Sequence, residues 1–130
     1  MLKKSLALFF GIVFLSFVVV QYNDPDPASW MIIYSIASIG CFMAAYDKLP
    51  NALLYTIIVS YIAGGIYMWP VKFEGVSIGG GDINNIEEAR ESLGLFLASF
   101  AFISLLLLDK YNLRNRKAAE IQQKAKWARL

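Results

Sequence analysis

Ser92-Leu-Gly-Leu-Phe-Leu-Ala-Ser-Phe-Ala-Phe-Ile-Ser-Leu-Leu-Leu-Leu108 is a run of 17 residues without a charge, and it stops abruptly at Asp109-Lys110. As a helix it would reach about 25 Å, close to the roughly 30 Å hydrocarbon thickness of a bilayer. Three further uncharged runs of 17 or 18 residues precede it: Ser5 to Tyr22, Trp30 to Tyr46 and Ala52 to Trp69. A water-soluble helical bundle would show polar stripes at a period of 3.6, and none of the four does. The runs therefore predict an all-α fold, a four-helix transmembrane bundle with up-down-up-down topology.

Composition supports lipid as the solvent. Apolar residues make up 58% of the chain and charged residues 17%, against roughly 45 to 50% and about 25% in soluble domains. Lys3 and Lys4 ahead of the first run resemble the start of a secretory signal. Val19-Val20-Gln21-Tyr22 lacks the small-residue cleavage pattern, so the first run reads as a retained helix. A lone cysteine, Cys41, excludes an intrachain disulfide and CxxC redox chemistry. The absence of histidine removes the commonest metal ligand and the default general base, and with it a serine hydrolase.

The polar segments are sorted by sign. Ten of the twelve basic residues fall in the N-terminus, the Asp47–Asn51 turn and the tail after Leu108; only Lys72 and Arg90 lie in the other two connections. By the positive-inside rule this predicts both termini in the cytoplasm, with the bacterial inner membrane as the expected location. Seven of the ten acids fall on the opposite side: Asp24, Asp26, Glu74, Asp82, Glu87, Glu88 and Glu91. The extracytoplasmic end is thus expected to be an acidic cap. Small residues spaced by four, Ala7 with Gly11, Gly40 with Ala44 and Gly94 with Ala98, suit close helix packing. Gly64-Gly65 reads as either a packing site or a bend. No span carries a mid-membrane charge, which disfavours an ion-coupled carrier. Ser16, Ser38, Thr56, Ser60 and Ser104 read as hydrogen bonds between helices.

The outer connections hold the candidate site. In Gln21-Tyr-Asn-Asp-Pro-Asp-Pro-Ala-Ser-Trp30 each proline keeps the aspartate before it out of helix. Asp26 suits an N-cap with Pro27 at the first helical position; Asp24 has no such role. In the second connection Asn85 and Glu88 have the form of a capping box. Glu87, Glu91, Gly94 and Ala98 fall on one helical face. A charge beside lipid is expensive, so Arg90 or Glu91 is expected to turn inward and pair, Arg90 with Asp24 or Glu91. The polar cluster is therefore Asp24, Asp26, Glu87, Arg90 and Glu91, either structural or ligand-binding. Asp24, Asp26, Glu87 and Glu91 are also the candidate ligands for a divalent cation, the one cofactor considered. Tyr22, Trp30, Tyr67 and Trp69 are expected to form an interfacial belt or wall a small pocket.

The Gln21-Tyr-Asn-Asp-Pro-Asp-Pro stretch with Trp30 and Tyr34, followed by Glu87 to Glu91 and Gly94-Leu95, resembles the transmembrane protein 220 family over about residues 5 to 110. That family comprises small four-helix membrane proteins of bacteria and animals without an established activity. The resemblance implies topology and little mechanism.

These readings divide the chain into a transmembrane domain, 1–110, and a basic cytoplasmic tail, 111–130. Leu113, Ile121, Ala125 and Ala128 give the tail an amphipathic helical pattern suited to anionic lipids of the inner leaflet, with Trp127 as an interfacial anchor. A protein partner or homo-oligomer is also admitted; nucleic acid is not expected, because positive-inside topology already accounts for the charge. The function expected is a non-enzymatic accessory or small-ligand-binding module. The competing class is a cation-assisted enzyme acting on an amphiphile or lipid head group at the outer leaflet.

Overall fold

The computed structural model describes residues 1–130, and each of the four apolar runs is helical. Helix α1 spans Leu2–Val20 and runs into a short 3-10 turn at Gln21–Asn23; α2 spans Pro27–Ala45, α3 Asn51–Tyr67 and α4 Ile83–Ala128. There is no strand. Lipid offers a backbone no hydrogen-bond partner, so each segment must satisfy its own N–H and C=O groups. Leu2–Asn23, Pro27–Ala45 and Ile83–Ala128 are long and apolar enough to cross a membrane; α3 is as apolar but, at 17 residues, shorter.

Two helix pairs make up the bundle. Lys3 at the start of α1 meets Asp47 just past the end of α2, while Phe17 near the end of α1 packs edge-on against Tyr34 of α2 at 5.2 Å, so α1 and α2 lie antiparallel. The Ser38 hydroxyl donates to the Gly11 carbonyl between them at 2.8 Å. Helix α3 pairs with α4 through Gly64 and Gly65, on which Leu95 and Phe96 rest, and through a 2.6 Å hydrogen bond from the Ser92 hydroxyl to the Gly65 carbonyl. The glycine pair is thus a packing site rather than a bend. The two pairs meet along α4: Phe102 fits over Gly40 of α2, and Tyr34 fits over Gly94. Phe14, Ala37, Cys41, Ala101 and Phe102 are fully enclosed at the centre.

The small residues of each helix act as sockets for an aromatic ring of another. A Cβ at Gly11 would come within 2.8 Å of the Phe42 ring. Interlocking of this kind supplies the dispersion contact that holds helices together where water does not drive them.

Three expectations need correcting. The short Asp47–Asn51 connection does not make α2 and α3 close neighbours: α3 is held chiefly by α4, and reaches α2 through the Tyr61 hydroxyl, which donates to the Ile33 carbonyl at 2.6 Å. The Gly40 socket of α2 is filled by Phe102 of α4, and Phe42 of α2 is turned into the Gly11 socket of α1, while the glycines of α3, Gly64 and Gly65, meet Leu95 and Phe96 of α4. The intramembrane hydroxyls also behave differently. Only Ser38 of the five joins two helices; Ser16, Thr56 and Ser104 return to carbonyls of their own helix. Ser60 donates no hydrogen bond, and Ser92, not counted among the five, bridges α4 to α3.

The third correction concerns α4. The tail is helical and basic, but it continues α4 without a break, so that one 46-residue helix, about 69 Å long, runs from the α3–α4 connection almost to the end of the chain. Neither proline nor glycine lies between Asp109 and Ala128 to turn the chain into the membrane plane. From Leu113 onward every residue is exposed, so this part projects beyond the bundle as a stalk.

Candidate functional site

The proline-bounded segment after α1 is built as its residues require. Asp24 closes the 3-10 turn in extended geometry, φ −71° and ψ 155°, ahead of Pro25, and Pro27 opens α2. Asp26 occupies the N-cap position, but its carboxylate accepts no capping hydrogen bond and stays exposed. Asp24 is half-buried. Beside it, the Gln21 side-chain oxygen is buried without a hydrogen-bond partner.

The connection from Met68 to Asp82 folds on Glu74. The Glu74 carboxylate accepts from the Asp82 backbone N–H at 2.7 Å and from the Asn85 side chain at 3.3 Å, and its other oxygen pairs with Lys72 at 3.5 Å. These hydrogen bonds, with the Lys72 charge, hold the Glu74 carboxyl below its usual range. Gly75 and Gly79 take positive φ, 87° and 94°, and supply the reversals. Helix α4 begins earlier than a capping box at Asn85 would place it. Asp82 is the N-cap, its side chain accepting from the Asn84 N–H at 2.8 Å, and Asn85 is drawn away by Glu74.

Arg90 does not make the expected ion pair. Its Nε donates to the Val76 carbonyl at 2.6 Å, and the ion pairs of the structure join it to neither Asp24 nor Glu91. Arg90 lies on the exposed side of α4, facing the Glu74 connection; Glu91, about 100° further round the helix, is half-buried against the bundle. The guanidinium thus pins the outer connection to α4 and leaves Glu91 without a cation.

Glu91 stands one residue outside the charge-free stretch and at the centre of the cluster. Burial, and then the charges of Asp24, Glu87, Glu88 and Asp26, push its carboxyl up to about 7. Carboxylates more than 60 residues apart in sequence are therefore close enough to repel one another. The Tyr34–Gly94 contact sets this approach, since Gly94 lies one turn past Glu91 and Tyr34 lies in the first half of α2. Tyr34 and Gly94 lie 60 residues apart in the chain, and only the shape of the packed faces joins them. No group of three His, Cys, Asp or Glu side chains is gathered within metal-binding distance.

The four aromatic residues part company. Tyr22, Tyr67 and Trp69 are exposed, as a belt requires; Trp30 is 7% exposed and packs on Tyr34 at 6.1 Å within the core. Trp69 stacks on Phe73 of the α3–α4 connection at 5.5 Å.

At the opposite end a second polar group escaped the sequence reading. The Lys3 ammonium bridges Asp47 and Asp109, each at 2.7 Å, with its side chain only 11% exposed. Asp47 adopts a left-handed φ of 55° at the end of α2, a conformation aspartate tolerates better than most residues. Lys3 holds the Asp47 carboxyl below its usual range. The bridge ties α1, the α2–α3 turn and the start of the stalk together.

A family model described as "Transmembrane family 220, helix" matches residues 13–107. Neither the curated proteins nor the solved structures contain a match to this chain.

Proposed function

The chain belongs to transmembrane family 220 and is an integral membrane protein, and on that premise we propose that it is a non-enzymatic accessory module whose acidic extracytoplasmic end receives a small cation or the cationic part of a partner. In this reading the helices cross up-down-up-down and both termini are cytoplasmic. The ten-to-two division of basic residues supports the orientation. The basic stalk then stands in the cytoplasm, near anionic lipid or a partner protein.

The observation that carries the reading is the like-charge surrounding of Glu91. Glu91 is half-buried without an ion-pair partner, the charges of Asp24, Glu87, Glu88 and Asp26 all act to raise its carboxyl, and the Arg90 Nε donates to the Val76 carbonyl. Such an arrangement costs folding stability, and stability is commonly given up where a surface must be completed by something else. A bound cation would relieve the repulsion.

Thermal unfolding of the full chain in neutral detergent at pH 7.5, with and without Ca²⁺ or spermidine, tests this. The transition is expected to rise with one of the cations, and to rise less in Glu91→Gln. Equal stability with and without both cations would refute the reading. Orientation is checked separately in intact cells with an impermeant maleimide, after Cys41→Ser. Cysteine at Ser77 is expected to label and cysteine at Gln122 is not.

A further inference from the structure

We infer that the cleft at the Lys3 end of the bundle is a binding site for one anionic phospholipid, its phosphate on the rim and the start of its acyl chains on the floor. The cleft has a volume of about 580 Å³ and is lined by residues of all four helices, a size typical of small-molecule sites. It lies where every lining element passes from apolar to polar sequence: α1 at Lys3 and Lys4, α2 at Tyr46, α3 at Asn51 and α4 at Asp109. That is the level of lipid head groups in any orientation of the bundle.

The lining is sorted as an amphiphile would require. Leu49 and the exposed Leu113, above the buried Leu105, form the apolar part, and Lys4, Asn112 and Arg116 the polar part. Lys3 is held by Asp47 and Asp109, so its charge is answered within the protein. Neither Lys4 nor Arg116 makes a close ion pair, although the Arg116 charge acts on Asp47 from a distance; Lys4 lies 4.9 Å from the centroid of the Tyr46 ring. Lys3, Lys4 and Arg116 thus bring three positive charges to a cavity that holds two carboxylates, Asp47 and Asp109, and the excess favours an anion. The first turn of α3 opens beside them without a side-chain cap, adding N–H groups that favour a phosphate. A free phosphate would leave the leucine floor unused, whereas a phospholipid covers both parts. This site is at the opposite end from the carboxylates of Glu91, and its test stands apart from theirs.

Native mass spectrometry of the full chain in neutral detergent, titrated in parallel with phosphatidylglycerol and phosphatidylcholine of matched acyl chains, reads the preference. Tighter binding of phosphatidylglycerol is expected. The double variant Lys4→Gln/Arg116→Gln is expected to lose most of that preference, at about fivefold in affinity per cation. Lys124→Gln/Arg129→Gln, which removes the same charge from the far end of the stalk, is expected to keep it. Asn112→Trp fills the cleft without changing charge and is expected to weaken phosphatidylglycerol binding, so the test survives if the double variant fails to fold. Equal binding of the two lipids would overturn the inference. So would an equal loss in the stalk variant, or displacement of phosphatidylglycerol by millimolar inorganic phosphate.

Discussion

The Tyr34 hydroxyl occupies the place where a side chain at residue 94 would begin: a Cβ on Gly94 would collide with it. Tyr34 has little room to move away, being 3% exposed and packed against Phe14, Phe17 and Trp30. Together with Phe102 over Gly40, this contact sets the register of α2 on α4, and through it the approach of the Asp24 segment to Glu91.

Gly94→Ala is accordingly expected to destabilise the bundle by about 1–3 kcal/mol, the usual range for overpacking. Tyr34→Phe removes the oxygen that collides and is expected to restore part of the loss in the double variant, while costing little alone. Unfolding of the four proteins in a denaturing detergent series measures the coupling. Additive losses would show that the two residues do not meet.

Glu91 gives the fold a pH dependence of definite sign. Its carboxyl is raised from 4.5 to about 7, so the folded chain holds the proton more tightly than the unfolded chain. Its contribution to stability is full below about pH 4.5 and is lost as pH rises to about 7, beyond which it is constant. Glu91→Gln is expected to abolish this slope and to be the more stable protein at neutral pH. Melting temperatures across pH 4 to 8 check the point, and a stability that rises over this interval through Glu91 would contradict it.

Hydroxyls that join helices are expected to matter more than hydroxyls that return to their own. Ser38→Ala and Ser92→Ala should each cost about 0.6 kcal/mol, the average for hydrogen bonds between membrane helices. Ser16→Ala, whose hydroxyl donates to Val13 three residues back, should leave unfolding unchanged. Detergent unfolding of the three variants separates the cases.

Part of this site was legible in advance because it depends on local chemistry. The prolines after Asp24 and Asp26 keep both aspartates out of helix, extended at Asp24 and at φ −119°, ψ 59° at Asp26, and Glu87, Glu91 and Gly94 share a face by helical spacing alone. The partner of Arg90 was not legible. A guanidinium beside lipid must find an acceptor, but a loop carbonyl serves as well as a carboxylate, and only the path of the Glu74 connection puts Val76 within reach. Trp30 was misplaced for a similar reason. Its position near a span boundary suits a belt, and its neighbour Tyr34 draws it into the core.

Lipid as solvent, four helices and the absence of histidine chemistry followed from the order of residues, because partition into a bilayer is a property of each segment by itself. Which helix lies against which was decided only in three dimensions. The runs are apolar on every side, so hydropathy gives them no preferred direction; the fit of Phe42 over Gly11, Phe102 over Gly40 and Tyr34 over Gly94 does. The cleft beside Lys3 and the carboxylates around Glu91 are consequences of that fit, at the two ends where the helices leave lipid.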